Sequence, residues 1–282
     1  MEAMPAATVA GASDEDKVAF RSAVLDFYDR EGRDFAWRAT SDPWAILVSE
    51  VMLQQTQTAR VVPKFDAWMA RFPDAATLAA ASTADVYDAW RGLGYNSRGI
   101  RLRACAAICV ERYGGIPPVD ERLLLELPGV GRYTARAVLA FAYGIPTAFL
   151  ETNIRAALIF HFFPKADRVS DRALEAIAAS LLVGNDPRTW YYALMDYGAW
   201  LKKHEPNPTR KAAAYARQTR FEGSVRQARG ALLRTIANNG QANLEQVSAE
   251  AGIEYGLATE AAAGLLRDGL IKQDGQTFSF VD

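Results

Sequence analysis

Glu50 is the residue of this 282-residue chain whose neighbours most directly suggest chemistry. On a helix, the residues one turn away are Ile46, Leu47, Leu53 and Gln54, so the carboxylate lies beside an apolar stripe and faces inward at least in part. A carboxyl taken out of water has a raised pKa and suits a general acid at neutral pH. The same pattern fits a rim glutamate paired with an arginine. Gln54, Gln55, Thr56 and Gln57 follow as a polar cluster, and amides of this kind can fill space between bases or simply face solvent. A second acid, Glu151, stands where a loop becomes a helix, with Thr152 and Asn153 as alternative caps, and ordinary capping accounts for the trio.

Groups suited to phosphate lie elsewhere. Leu127-Pro-Gly-Val-Gly-Arg-Tyr-Thr134 reads as helix end, glycine hairpin and helix start. Gly129 and Gly131 give the backbone freedom and bareness, the amides of Val130 to Tyr133 are unpaired donors, and Arg132 adds charge. A helix-helix turn with two glycines reads the same way. Gly92-Leu-Gly-Tyr-Asn-Ser-Arg98 puts Tyr95 on a tight turn beside Arg98, where the ring is either a stacking group for nucleic acid or a buried tyrosine. Formal net charge is only −1, yet Lys202 to Arg234 holds nine Lys or Arg against two Glu, and Thr235 to Asp282 holds two basic residues against seven acidic. A basic middle and an acidic tail cancel in the total while leaving either a phosphate-holding patch or a solvated helix face.

The elements that position these groups are helices. Ser13 with Asp16 starts the first, which ends near Gly32; Trp44 to about Val61 forms the next. Short helices follow to Trp90, with Pro63 and Pro73 as punctuation, then Arg98 to Tyr113, Asp120 to Leu127, Arg132 to Tyr143, Ile154 to Phe163, Ser170 to Val183 and Thr189 to Trp200. The basic run after Glu205-Pro-Asn-Pro208 carries helical periodicity through Tyr215. From Ser224, two short helices, Tyr255 to Arg267 and a ribbon turning at Asp274-Gly275 form a winged-helix pattern. Its third helix offers Arg267 alone beside several acids, which favours packing or a protein partner over DNA reading. No apolar run reaches the ~20 residues of a membrane span, and Met1 to Ala12 resembles a disordered leader more than a signal peptide. Cys105 and Cys109, the only cysteines, read as core residues of a reducing compartment, and His161 and His204 are isolated.

In order and spacing, Phe35-Ala-Trp-Arg38, Ser49-Glu-Val-Met-Leu-Gln-Gln-Thr56, Gly92-Leu-Gly-Tyr95, Leu127 to Thr134, Glu151-Thr-Asn153 with Arg155, and Met195-Asp-Tyr-Gly198 resemble the helix-hairpin-helix DNA glycosylases, and most closely the MutY-like adenine glycosylases. The resemblance implies an all-α, two-lobed body over residues 13–222, with a middle-helix lobe at about 44–155, a second lobe from 13–43 plus 156–222, and DNA in the cleft. The winged-helix-like domain occupies 223–282. It also implies a monofunctional enzyme of base excision repair that flips a mismatched base out of duplex DNA and hydrolyses its glycosidic bond. Glu50 matches the family's acid and Asn153 an active-site asparagine. Tyr133 stands where the lyase-competent branch has its lysine. Glu151 replaces the aspartate that stabilises the sugar cation, and Gln54, Gln55 and Tyr95 match positions that enter the base stack. Phosphate contacts are expected from Arg98, Gly129, Gly131 and Arg132. The four cysteines of the family's iron-sulfur cluster are missing after Gly198, so no cofactor or metal is expected, and the segment with Lys202, Lys203, Arg210 and Lys211 is expected to prop the lobe as a helix and contact phosphate in the cluster's place. Adenine opposite guanine or 8-oxoguanine is the expected target, with thymine or uracil opposite guanine, or a non-catalytic DNA-binding scaffold, as alternatives. The protein is expected to be a cytoplasmic monomer, nucleoid-associated if bacterial, away from membranes, with a protein partner for the acidic domain.

Overall fold

A computed structural model describes residues 13–215 and 220–281, and the expected leader lies outside them. Its helices in chain order are α1 (Asp14–Glu31), α2 (Pro43–Leu53), α3 (Thr58–Arg71), α4 (Ala75–Ala79), α5 (Thr83–Trp90), α6 (Ser97–Tyr113), α7 (Glu121–Leu125), α8 (Arg132–Tyr143), α9 (Thr152–Phe162), α10 (Asp171–Leu182), α11 (Pro187–His204), α12 (Val225–Asn239), α13 (Leu244–Ala251) and α14 (Tyr255–Arg267). Among the described residues the strands are β1 (Ala242–Asn243), β2 (Ile271–Asp274) and β3 (Thr277–Phe280). Two compact units result. One comprises the described residues of Met1–Ile46, Val119–Leu125 and Val130–Arg217, the other those of Leu47–Pro118, Glu126–Gly129 and Gln218–Asp282.

In the first unit, α1 starts on a capping box in which Ser13 and Asp16 satisfy each other's amides. It buries Phe20, Val24 and Phe27, with the Phe20 ring 5.0 Å from Phe162 of α9 and 6.1 Å from Trp190 of α11. α9 and α11 approach at Gly198, where a Cβ would sit 2.0 Å from the Asn153 carbonyl oxygen. The basic run does not continue as a helix. α11 stops at His204, Pro206 and Pro208 bring no N–H groups, and a 3-10 turn at Pro208–Lys211 leads into an extended bridge, with Val169 N–H donating to the Lys211 carbonyl and Ala213 N–H to the Val169 carbonyl, both at 2.8 Å. Residues 216–219 of that run lie outside the described ones.

In the second unit, the expected single helix from Trp44 is two helices. α2 ends at Leu53 and α3 begins at Thr58, with Gln55 at φ +54° in the break. Pro63 lies inside α3 rather than ending it. The C-terminal segment folds as helices and a wing that is three-stranded, in the order β1-β3-β2, because Ala242 and Asn243 pair with Phe278 and Thr277. Its core of Ala228, Leu232, Ile236, Val247, Leu265 and Phe278 also takes in Tyr87 of α5, whose ring lies 5.4 Å from Phe280. Asp268 receives Arg229 of α12 at 2.5 Å and Arg101 of α6 at 3.5 Å, so part of the tail's acidity is spent on arginines of its own unit.

Candidate active site

Glu50 sits in the interior turn of α2, 3 % exposed, flanked by Ile46, Leu47, Val51 and Met52, all buried. A carboxyl there is shielded from bulk water, as the apolar stripe predicts. One turn on, α2 ends because of a residue far away in sequence. Arg98 of α6 donates to the carbonyls of Val51 (2.8 Å), Met52 (3.1 Å) and Gln54, to Thr56 Oγ1 (2.9 Å), and to the carbonyls of Leu93 (3.2 Å) and Gly94 (2.9 Å). The orphan carbonyls at a helix end are thus satisfied by one planar fork, which also ties down the Gly92–Gly94 turn. Burial pulls this guanidinium down to about 10. Arg98 is 8 % exposed, so it differs from the expectation of a phosphate contact: its donors are used on protein oxygens. The residues it organises are the expected stack-entering ones. Gln54 Nε2 reaches the Gly129 carbonyl at 3.4 Å, Gln55 is exposed, and Tyr95 sits at φ +47°, 37 % exposed.

Of the hairpin glycines, Gly129 needs its lack of a side chain twice over, at φ +82° and with a Cβ position 3.2 Å from Arg101 Cβ. Gly131 has ordinary extended backbone at φ −97° and open space at its Cβ position, so bareness is what it offers at the N-cap of α8. Arg132 is exposed, with Glu175 3.4 Å away. Tyr133 is half-buried, edge-on to Phe149 at 5.6 Å.

Phe149 leads into Glu151, the N-cap of α9. Glu151 Oε1 accepts the amides of Asn153 (2.6 Å) and Ile154 (2.8 Å), and Oε2 accepts Asn153 Nδ2 at 3.2 Å. The longer side chain therefore still reaches the cap, and it fixes Asn153 in the same step. Burial pushes the Glu151 carboxyl up, a shift only partly opposed by those amides and by Lys202 and Arg155. The half-buried Lys202 ammonium is in turn held below its ordinary value by burial, against the pull of Glu151 and with the repulsion of Arg33. Lys203 and Arg210 are exposed, and Lys211 donates to the Pro164 carbonyl at 2.7 Å.

Two matched motifs to which the sequence assigned no role turn out to hold this site. Asp196 is buried and takes the Arg33 backbone N–H (2.8 Å), Arg33 Nε (2.8 Å) and both terminal nitrogens of Arg38 (2.8 Å each). Burial would raise its carboxyl, but the hydrogen bonds from Arg38 and Arg33 and the charge of Arg38 outweigh that and hold it below the usual range. Arg38 also lies over the Tyr192 ring at 4.4 Å. Two residues on, Gly198 permits the close approach to Asn153. Met195-Asp-Tyr-Gly198 and Phe35-Ala-Trp-Arg38 thus lock α11 and set the first turn of α9 against it. A four-cysteine cluster does not fit the two cysteines of this chain, Cys105 and Cys109, both buried on α6. Among the described residues no group of three or more His, Cys, Asp or Glu is placed to hold a metal ion.

Comparison with known proteins places the chain in a family. The model of the HhH-GPD superfamily base excision DNA repair proteins matches residues 48–182, a span that takes in Glu50, the hairpin, Glu151 and Asn153. The adenine DNA glycosylase of Mycolicibacterium smegmatis is 36% identical over 276 residues, covering 89% of this chain and 92% of that protein. The thymine/uracil-DNA glycosylase of Methanothermobacter thermautotrophicus is 28% identical, covering 67% of this chain and 86% of that one. Among solved structures, a thermostable thymine-DNA glycosylase superposes with a TM-score of 0.60 at 27% identity, over 67% of this chain and 88% of that chain. The chain belongs to the HhH-GPD superfamily of base excision DNA repair proteins.

Proposed function

We propose that the protein is a monofunctional DNA glycosylase acting on mismatched duplex DNA, with adenine opposite guanine or 8-oxoguanine as its target. The observation that carries the reading is the buried Glu50 carboxyl on α2, inside the family-matched segment of a chain 36% identical to an adenine glycosylase over 89% of its length. Glu50 gives its proton to the departing base as the glycosidic bond breaks and the bonding pair leaves with the base. The ionised Glu151, kept in place by the first turn of α9, stabilises the sugar cation, and Asn153 is the polar group that orients it. Water adds to the sugar carbon, its proton returns to Glu50, and the products are free base and an abasic site. Tyr133 has no amine, so no Schiff base forms and the strand stays intact. Gln54, Gln55 and Tyr95 fill the stack at the extruded base, while Gly129, Gly131, Arg132, Lys202, Lys203, Arg210 and Lys211 contact phosphate and Arg98 positions the stack-entering turns. No helix among the described residues is long and apolar enough to cross a membrane; we place the protein in the cytoplasm, on DNA, as a monomer.

A panel of duplexes, each with one defined mismatch, tests the substrate. Release of adenine from an A·G or A·8-oxoguanine duplex supports the reading; release of thymine or uracil alone, the chemistry named for the thymine/uracil relative, replaces the target base while keeping the reaction.

A further inference from the structure

We infer that the C-terminal domain completes a cationic cavity that holds one nucleotide, phosphate and base together, beside the Tyr95 turn. The cavity encloses about 500 Å³ and lies wholly within the second unit. That volume is in the ~300–1,000 Å³ range of small-ligand clefts. Arg60 of α3, Arg91 after α5, and Arg226, Arg229 and Arg234 of α12 line it, and no acidic residue does. Arg229 is matched by Asp268 at 2.5 Å and Arg91 has Asp88 at 3.3 Å, whereas Arg60 and Arg234 make no ion pair among the described residues. Five guanidiniums around one space leave a positive field that an anion relieves, and a guanidinium fork suits phosphate oxygens.

The rest of the lining suits a base. Tyr95 and Phe221 are 37 % and 58 % exposed, two large rings left at the cavity instead of in a core, and Arg226 donates to the Tyr95 hydroxyl at 3.2 Å, tying α12 to the turn. Among the described residues only two non-glycines have positive φ, Gln55 and Tyr95, and both line this cavity. Strained backbone persists where the surrounding structure holds it, and here it presents an amide and a ring to the same space. Aromatic faces with flanking arginines bind unpaired nucleotides by stacking plus phosphate contact. The contribution of α12 departs from the sequence expectation that the C-terminal domain serves packing or a protein partner.

This deepens the DNA-binding half of the proposed function and rests on it for the source of the nucleotide. The full chain is titrated by fluorescence anisotropy against a labelled duplex with one unpaired nucleotide and against the fully paired duplex. Phe221→Ala should cut the preference for the unpaired nucleotide by about tenfold and leave the salt slope alone. Arg234→Gln and Arg60→Gln should each lower the slope of log K against log salt by about one. Competition by free deoxyadenosine monophosphate assigns the site to a free nucleotide, and its failure to compete while the variants still weaken duplex binding assigns it to the strand. Unchanged affinity, preference and slope in all three variants overturns the inference. Base excision is not read here, so a chain that binds as expected and excises nothing defeats the proposed function while the cavity stands.

Discussion

Gly198→Ala places one methyl group against a backbone that cannot turn aside. The added Cβ would lie 2.0 Å from the Asn153 carbonyl oxygen, 2.6 Å from its carbonyl carbon and 3.0 Å from its Cα. No rotamer change relieves a contact with main-chain atoms, so α9 and α11 must separate by ~1.4 Å to restore ordinary contact, and overpacking of this kind costs about 1–3 kcal/mol. The displaced residues are the first turn of α9, where Glu151 holds the amides of Asn153 and Ile154. A shift of about 1 Å in catalytic groups costs about 10²-fold in rate, equivalent to about 2.7 kcal/mol in the barrier. The assay is single-turnover base excision at saturating enzyme on the preferred mismatch duplex, with thermal melting and anisotropy alongside. Gly198→Ala should lower the rate constant by about two orders of magnitude, lower Tm by several degrees and leave duplex affinity within a few-fold. Gly256→Ala in α14, where the nearest atom to the new Cβ is a flexible glutamate oxygen at 3.6 Å, serves as the control and should melt no lower than wild type. A folded Gly198→Ala protein with an excision rate within about threefold of wild type would refute the claim that this close approach positions the site.

Three further perturbations probe the frame. His161 is buried with Nε2 2.7 Å from the Tyr197 hydroxyl, and burial depresses it to about 4; the unfolded state therefore takes up a proton below about 6.5 that the folded state refuses, and stability falls as pH drops from 6.5 towards 4. His161→Phe should remove that slope, worth up to about 3 kcal/mol, from urea-unfolding midpoints measured across the window, and an unaltered slope counts against a neutral buried imidazole. Arg98→Lys replaces a planar fork with a point charge and strands several carbonyls at the end of α2; a loss of about 2–3 kcal/mol and a weaker preference for unpaired nucleotides are expected, and a silent substitution would reassign the turn's anchor. Lys202→Met removes a cation that holds the Glu151 carboxyl down, so the acid limb of the excision rate should move to higher pH, and a limb that stays put or moves lower removes Glu151 from that titration.

Much of the helical frame was legible because apolar spacing and caps are local. Ser13 and Ser170 mark helix starts that the structure keeps, and Asp274-Gly275 turns the wing as its residue types require. The departures arise from distant partners. Nothing between Trp44 and Val61 announces a break at Gln54, because the group that ends α2 is a guanidinium 44 residues further on. The run after Pro208 has helical spacing but pairs with Val169, and that bridge wins over propensity. For the site, sequence supplied the residue types and the resemblance supplied expected roles; neither could show that Asp196 gathers Arg33 and Arg38, since a buried charge and a solvated one look alike in a string. The α12 arginines were visible only as part of a basic stretch, and their cavity emerges once α12 packs near the Tyr95 turn.

The most direct test of the account is strand integrity after incubation of an A·G or A·8-oxoguanine duplex with wild-type protein and with Glu50→Gln, each split into portions with and without hot alkali. Wild type should give breaks at the adenine in the alkali portion alone, and Glu50→Gln none while still binding the duplex within a few-fold of wild type. Breaks without alkali, or a Glu50→Gln protein that cuts as wild type does, would contradict it.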